Sequence, residues 1–342
     1  MDNWTICGET LAPGEKRRTV LRVPMGGLPN RGALLPGEDK TGDYELPAFL
    51  LNGKREGKTL LISAGIHSGE YAGTPAVIRA GRELDPEKLS GRLILLPCVN
   101  TSGYWGLSQA LVPEDGVNLN RTYPGQADGS VGARIKAFFV REIFPQLDFM
   151  LDFHGGSVAE KMLPLIFYPR AEKVTAAALA AAKALSTGVL VASDARDGQY
   201  SYAANFLDLP GLLLERGGGF YCEKAWSEAD YLDIRLLLDH LGMYGAEPEL
   251  LARRGKHRIF GDAVYLDSDV DGLWYPAVAV DTPVKQGQLL GVVRDFFGET
   301  VKEYRAEADG HILYLNDGLA IKKDGFLVAY GLTASESAQT EN

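Results

Sequence analysis

Apolar runs alternate with segments of helical spacing through the first 250 residues of the chain. The runs at 59–64, 92–99 and 147–153 are almost continuously apolar, which is typical of strands buried on both faces of a sheet. Helical spacing of apolar residues is found in four further segments, at 70–84, 131–145, 171–186 and 225–243. This alternation predicts an α/β fold with a mixed, mostly parallel sheet that is flanked by helices.

The pattern changes near residue 250. A basic connector at 253–258 leads into short β-rich runs, which are separated by glycines up to about residue 332. We therefore predict three parts: an α/β domain at 1–250, a β-barrel-like domain at 251–332 and a polar, disordered tail at 333–342.

Composition and charge exclude several classes of protein. Of the 342 residues, 46% are hydrophobic, which is enough for a sizeable core, and the net charge of −10 argues against a nucleic-acid surface. The chain has no run of about 18 apolar residues that would span a membrane, and it begins without a basic, apolar leader. Its cysteines, Cys7, Cys98 and Cys222, are too few and scattered for a disulfide scaffold. We expect a cytoplasmic protein.

Two histidines and a carboxylate come after the predicted buried strands. His67 and Glu70 come just after the run at 59–64, and His154 comes directly after the run at 147–153, before two glycines. Open α/β sheets bind ligands beyond the carboxyl ends of their strands. A set of two imidazoles and one carboxylate would leave one position of a zinc ion open for water. Neither part is specific alone. A His-x-x-acid pair is expected by chance about 0.7 times in a chain of this composition, and a histidine at the end of a strand can also be a core residue.

Two more segments carry polar groups suited to catalysis. Asn118, Asn120 and Arg121 lie in a loop, where a guanidinium can bind a carboxylate through two hydrogen bonds, although such a loop can also be merely solvated. Glu215 follows an apolar run and precedes three glycines, and beside a metal it could act as a general base. The alternative for Glu215 is a strand-end ion pair with Arg216.

Taken in order, these segments resemble the succinylglutamate desuccinylase/aspartoacylase family, within the zinc carboxypeptidase-like metallohydrolases. The segments 65–70 and 118–121, together with His154 and Glu215, match the motifs of that family, and 283–288 with 308–310 resembles its biotinyl/lipoyl-type β domain. The resemblance implies one zinc ion per chain, bound by His67, Glu70 and His154. It also implies that Glu215 is the catalytic base and that Asn120 and Arg121 grip a substrate carboxylate, with Asn118 in the same substrate-binding loop.

The chain departs from the family pattern at several positions. Ser68 follows the first histidine, whereas many desuccinylases have glycine there, and this form is closer to true carboxypeptidases. Between residues 108 and 113 there is no arginine to polarise the scissile carbonyl, and Gln109 is the nearest polar candidate. Tyr200 and Tyr202 are candidates for an assisting tyrosine. The source of oxyanion stabilisation therefore stays open.

These observations favour a zinc-dependent hydrolase that cleaves the amide bond of a small N-acyl amino acid or related N-acyl amine. Glu215 would activate a water on the zinc, and the substrate would be small and anionic. The first alternative is a zinc carboxypeptidase, which would use the same site residues to act on peptides. The second is a metal- or ligand-binding module without activity. A homo-oligomer is compatible with the sequence, and we expect neither a nucleic-acid nor a membrane partner.

Overall fold

The computed structural model describes residues 2–332, so the predicted disordered tail at 333–342 lies outside the described residues. The described strands, in chain order, are β1 (Trp4–Ile6), β2 (Glu9–Leu11), β3 (Glu15–Val23), β4 (Tyr44–Asn52), β5 (Arg55–Ala64), β6 (Ser90–Leu96), β7 (Phe149–His154), β8 (Glu160–Met162), β9 (Leu165–Pro169), β10 (Val189–Ser193), β11 (Gly211–Glu215), β12 (Arg258–Phe260), β13 (Ala263–Asp267), β14 (Gly272–Pro276), β15 (Pro283–Val284), β16 (Leu289–Arg294), β17 (Thr300–Arg305), β18 (Gly310–Asn316), β19 (Ala320–Ile321) and β20 (Phe326–Leu332).

The α-helices are α1 (Gly73–Glu83), α2 (Thr101–Gly106), α3 (Val131–Phe138), α4 (Thr175–Lys183), α5 (Gln199–Phe206), α6 (Lys224–His240) and α7 (Pro248–Leu251). A π-helical turn and a 3-10 turn extend α3 to residue 146. The four helices predicted from apolar spacing are therefore present as α1, α3, α4 and α6. The short helices α2, α5 and α7 were not predicted, because each is too short to show a clear apolar period.

A nine-stranded mixed sheet forms the centre of the fold. Its strand order is β12-β10-β9-β11-β7-β5-β6-β4-β3. The four neighbours β11, β7, β5 and β6 are all parallel, whereas β9 runs antiparallel to β11, and β4 runs antiparallel to both β6 and β3. The expected mixed sheet with flanking helices is confirmed, and its parallel block lies at the centre.

Helices cover both faces of this sheet, which explains why its central strands are so apolar. The residues of β7 are all buried, and so are the last six residues of β5. One apolar layer packs α1, α4 and α6 against the sheet, and the other contains α3, α5 and the first four strands. Parallel strands buried in this way need continuous apolar sequence, which is the signal that predicted them.

The C-terminal part contains two antiparallel sheets instead of the closed barrel suggested by its sequence; no closed barrel is found within residues 2–332. One sheet has the order β13-β20-β18-β15, with β8 also paired to β18, and the other has the order β17-β16-β14-β19. Side chains of both sheets share one core around the buried Trp274. Short strands with frequent glycine turns suit either arrangement, so the pattern alone could not decide between them.

Two strands tie the predicted domains together across residue 250. Strand β12, from the C-terminal segment, pairs with β10 of the central sheet, and β8, from the α/β segment, pairs with β18. The division at residue 250 stays a prediction, but these pairings place the C-terminal sheets beside the carboxyl ends of the central strands. Within residues 2–332, no helix combines the length and apolar character that crossing a bilayer requires.

Candidate metal centre and active site

The carboxyl ends of β5, β7 and β11 meet at one edge of the parallel block and bring the predicted residues together. In the sheet register, Ala64 pairs with Phe153, and Glu215 pairs with His154. The chain leaves β5 through Gly65, whose backbone has a φ of +64° and lies against Cys98. A side chain there would be strained.

His67, Glu70 and His154 form one compact group in which each offers one ligand atom, and these atoms lie within 4.8 Å of one another. The Nδ1 atom of His67 lies 2.8 Å from Glu70 Oε1, and the Nδ1 atom of His154 lies 2.9 Å from Glu70 Oε2. The backbone N–H of Gly155 also donates to Glu70, over 3.1 Å. This His-Glu-His group could hold a metal ion, as the sequence predicted.

The outer nitrogen of each imidazole has its own partner. His154 Nε2 lies 3.0 Å from Asp152 Oδ2, and that aspartate also accepts a hydrogen bond from the hydroxyl of Ser63. His67 Nε2 lies 3.0 Å from the amide oxygen of Asn118. Metal-binding histidines characteristically use their second nitrogen in this way, because the partner fixes the tautomer and the orientation of the ring.

The charges in this group shift its pKa values strongly. Burial alone would lower the pKa of His154, but Asp152 and Glu70 outweigh that effect and hold the pKa well above its usual value. Burial alone would raise the pKa of Glu70, but the two imidazoles lower it below the usual range. Glu70 is therefore anionic, and a metal ion bound here would displace the proton of His154, because a metal ligand must be the neutral imidazole.

Glu215 stands beside this group with a free carboxylate. It is the last residue of β11, and its buried Oε2 atom has no hydrogen-bond partner among residues 2–332. Burial and the nearby charge of Glu70 raise the pKa of Glu215 well above its usual value, and His154 partly opposes them. Such perturbed, unpartnered carboxylates are typical of functional sites.

The alternative in which Glu215 forms an ion pair with Arg216 is wrong. The Arg216 guanidinium instead binds Asp230 and Asp233 of α6, and all three side chains are buried. Successive residues of a strand point to opposite faces. Glu215 lines the cavity, and Arg216 lies outside it.

The loop at 118–121 contributes to the site in two different ways. Asn118 orients His67, whereas Asn120 and Arg121 line the cavity. Asn120 is buried and accepts a hydrogen bond from the backbone of Gln199, and the largely buried Lys136 donates to the Arg121 carbonyl over 3.0 Å. The backbone of this loop is therefore fixed, while the guanidinium of Arg121 stays accessible.

Of the two candidate tyrosines, Tyr200 lies at the site. Its buried side chain lines the cavity, and its hydroxyl makes no hydrogen bond of good geometry within residues 2–332, although Ser193 lies close to it. Tyr202 instead packs between Tyr123 and Phe206. Gln109 is not among the residues that line the cavity, and its backbone carbonyl accepts hydrogen bonds from Ser68 and Gly69.

These groups share one cavity of about 370 Å³. Its other wall comes from the C-terminal part, which contributes Asp262, Tyr265 and Tyr314. Sequence reasoning missed these three residues. No local pattern marks them, because they reach the site only through the packing of the C-terminal sheets.

The fold and the site together define an α/β protein in which a candidate metal group shares a cavity with a free carboxylate and a guanidinium. This combination is suited to amide hydrolysis. Residues 56–240, more than half of the chain, match the family model described as succinylglutamate desuccinylase/aspartoacylase catalytic domain. The chain belongs to this family, as its motifs predicted, and its homologues are N-acyl amino acid deacylases.

Individual relatives agree with this assignment. The chain is 31% identical over 281 residues to the N-alpha-acetyl-L-2,4-diaminobutyric acid deacetylase of Halomonas elongata, an alignment that covers 80% of this chain and 81% of the relative. It also resembles the product-bound structure of the ectoine utilization protein EutE (DoeB) from Ruegeria pomeroyi, with a TM-score of 0.80, 25% identity and coverage of 94% and 97% of the two chains. A succinylglutamate desuccinylase/aspartoacylase from Rhodobacter sphaeroides shares the fold, with a TM-score of 0.80, 23% identity and coverage of 94% and 96%.

Proposed function

We propose that this protein is a zinc-dependent hydrolase that cleaves the amide bond of a small N-acyl amino acid or a related N-acyl amine. The observation that carries the proposal is the position of Glu215. Its unpartnered carboxylate lies in register beside His154, in the same cavity as Arg121. A candidate base, a candidate metal group and an anion-binding side chain are therefore within reach of one small substrate.

The donor set fits one zinc ion per chain. Two imidazole nitrogens and one carboxylate oxygen are the ligands of many catalytic zinc sites, and Asp152 and Asn118 satisfy the outer nitrogens. Bound there, the ion would supply the acidity that makes a water nucleophilic near neutral pH, and it would share negative charge in the transition state. We infer that His67, Glu70 and His154 hold it.

The residues of the chain then have distinct tasks. Glu215 accepts the proton of the attacking water and passes it to the nitrogen of the leaving amine, which yields a carboxylate and a free amine. Arg121 binds the carboxylate of the substrate, with Asn120 beside it. Tyr200 donates a hydrogen bond to the carbonyl oxygen as that oxygen gains negative charge, a task for which the family's usual arginine is missing here.

The size of the cavity supports a small substrate. At about 370 Å³, with Tyr265 and Tyr314 forming one wall, it is near the lower end of the range for ligand pockets, about 300–1,000 Å³. The name of the Halomonas relative identifies an N-acetylated diamino acid as its substrate. We therefore propose N-acetyl amino acids, including those with a second amino group, as the first substrates to test.

The proposal also includes the domain arrangement and the cellular location of the protein. We infer a zinc-carboxypeptidase-like α/β domain with an accessory β domain that narrows the entrance to the site. All three cysteines are free thiols, which is in keeping with a cytoplasmic location. The small anionic substrate is the one ligand besides zinc that this proposal includes.

A substrate panel tests the proposal. N-acetyl, N-succinyl and N-formyl amino acids should be compared with dipeptides, with chelator and after zinc is restored, while bound metal is measured by mass spectrometry. We expect turnover of N-acyl amino acids that is lost with chelator and recovered with about one zinc per chain. Efficient cleavage of dipeptides alone would favour the peptide carboxypeptidase, and zinc binding without any turnover would favour a binding module.

Glu215→Gln is the matched variant, because it keeps the shape of the side chain and removes its basicity. Loss of a general base should lower kcat by about 100- to 10,000-fold while zinc stays bound. Undiminished kcat in this variant would remove Glu215 from the mechanism.

A further inference from the structure

Arg216, the residue directly after Glu215, is the centre of a buried ionic network on the face of the sheet away from the cavity. Its Nη1 atom lies 2.6 Å from Asp230 Oδ1, and its Nη2 atom lies 3.0 Å from Asp233 Oδ2. The arginine side chain is 5% exposed and both aspartates are fully buried, so water does not screen these contacts.

The network joins three separate segments of the chain. Asp230 and Asp233 are three residues apart on α6, so both lie on the same side of that helix. Asp233 also accepts hydrogen bonds from the backbone N–H and the hydroxyl of Ser186, each over 2.6 Å, and from the hydroxyl of Thr187 over 2.7 Å. The end of β11 is thereby connected to α6 and to the loop between α4 and β10.

The end of β11 needs such an anchor because the next segment of the chain is made of glycine. Gly217, Gly218 and Gly219 come directly after Arg216, with φ values of +81°, +159° and +76°. Glycine restricts its backbone less than any other residue. Backbone hydrogen bonds hold this segment, from the Gly156 N–H to the Gly217 carbonyl over 2.8 Å and from the Gly219 N–H to the Ser157 carbonyl over 3.0 Å, so Arg216 supplies the side-chain contact that the glycines lack. Arg216, one residue beyond the strand, is the last residue with a side chain before the glycines.

Glu215 depends on its backbone for its position more than His154 does. Asp152 holds the imidazole of His154 directly, whereas Glu215 Oε2 has no hydrogen-bond partner in the described part of the chain. The backbone N–H of Arg216 donates to the carbonyl of His154 over 3.1 Å, which brings the two strand ends together. A shift of Arg216 would therefore move the Glu215 carboxylate relative to the His67–Glu70–His154 group. That group would stay in place, because Asn118 and Asp152 hold its imidazoles.

We propose that Arg216 is a positioning residue, and that its anchor to Asp230 and Asp233 sets the distance between the Glu215 carboxylate and the His67–Glu70–His154 group. This inference rests on the proposed role of Glu215 as the base. Catalytic groups must be held within about 0.5 Å of their productive position, and an error of about 1 Å can cost about 100-fold in rate. Buried ion pairs contribute little net stability, so stability alone does not explain the Arg216 network. Fixing the position of the Glu215 carboxylate would give this network a function.

Two variants and one control test the proposal. Arg216→Lys keeps the positive charge but cannot contact both aspartates in the same way, and Asp233→Asn removes one charge without changing the volume. Arg235→Lys is the control, because Arg235 lies on the same helix and pairs with Glu247 over 3.1 Å without contacting β11. Each variant should be compared with the wild type in kcat and KM per zinc-loaded molecule, zinc affinity by chelator competition, and melting temperature.

The expected result is a selective loss of turnover. Both network variants should lose about 10- to 100-fold in kcat, with KM and zinc affinity within about threefold of the wild type. Arg235→Lys should keep the kcat of the wild type, even if its melting temperature changes. A purely structural network would lower the melting temperature and leave kcat per zinc-loaded molecule unchanged.

Each other result counts against a specific statement. An unchanged kcat in Arg216→Lys and Asp233→Asn overturns the positioning role. Loss of zinc binding or of folding in both variants also overturns it, because the network would then support the metal ligands or the fold instead of the position of Glu215. If the wild type binds zinc but hydrolyses no substrate of the panel, the proposed function fails first. The positioning role then has no activity to act on and is rejected together with the proposed function. If instead the wild type and both variants are active, only the positioning role is rejected.

Discussion

The support that Asp152 gives to His154 leads to a quantitative prediction about metal affinity. Asp152 is fully buried, and its Oδ2 atom lies 3.0 Å from His154 Nε2, while the hydroxyl of Ser63 donates to Oδ1 over 2.8 Å. In Asp152→Asn the side chain keeps its volume and its contact with Ser63. It loses the negative charge that makes His154 a better metal ligand.

The size of the effect can be worked out from the nature of this contact. A hydrogen bond that involves a charged group contributes about 1.5–3 kcal/mol, and burial prevents water from replacing it. That range corresponds to about 10- to 100-fold in affinity, since each factor of ten is about 1.4 kcal/mol. Outer partners of zinc-bound histidines usually have effects of this size. We expect zinc to bind Asp152→Asn about 10- to 100-fold more weakly.

The assay is competition with a chromophoric chelator at fixed pH, with melting temperatures measured on the same samples. Asp148→Asn is the control, because Asp148 precedes the same strand and accepts a hydrogen bond from the backbone of Thr59 over 2.7 Å, far from the ligand group. It should bind zinc as the wild type does. Equal zinc affinity in Asp152→Asn and the wild type would refute the support by Asp152, and an equal loss in both variants would point to general destabilisation.

Three further predictions concern the cavity and the buried network. Arg121→Lys should raise KM by about tenfold or more with little change in kcat, because lysine cannot bind a carboxylate through two parallel hydrogen bonds; an unchanged KM would contradict this. Tyr200→Phe should lower kcat by about 100-fold, and normal turnover would exclude it as an oxyanion donor. Burial and the neighbouring Asp233 raise the pKa of Asp230 from 3.8 to about 7, although Arg216 opposes them. Between these pH values the folded protein retains a proton there that the unfolded chain loses, and the contact with Arg216 becomes fully ionic only above that range. Stability should therefore fall as the pH rises from about 4 to about 7, and Asp230→Asn should flatten this fall in melting temperature.

Much of the candidate site could be predicted because its residues adjoin the most apolar strands. Strands buried on both faces have continuous apolar sequence, and His67, His154 and Glu215 each come closely after such a run. Carboxyl ends of neighbouring parallel strands meet at one edge of a sheet, so these residues were expected to lie close together. The structure brings His67 and His154 together around Glu70, with Glu215 alongside.

Other parts of the site depend on contacts between segments that are distant in sequence. Tyr265 and Tyr314 reach the cavity only because β8 and β12 join the C-terminal and central sheets. The partner of Arg216 could not be read from its neighbours, since the adjacent Glu215 was the obvious candidate and Asp230 and Asp233 lie on another element. The same holds for the contact of Asn118 with His67; the predicted substrate-binding role of Asn118 stays a prediction.

The sequence by itself determined the α/β class, the helices with a clear apolar period and the residues at the ends of the buried strands. These features arise from burial, which acts on each segment separately and leaves a local pattern. Only the tertiary structure decided the antiparallel position of β9, the two C-terminal sheets and the partners of each polar side chain. Strand order and side-chain pairing are settled by which surfaces meet after the chain has folded, and a pattern of apolar and polar residues does not specify that choice.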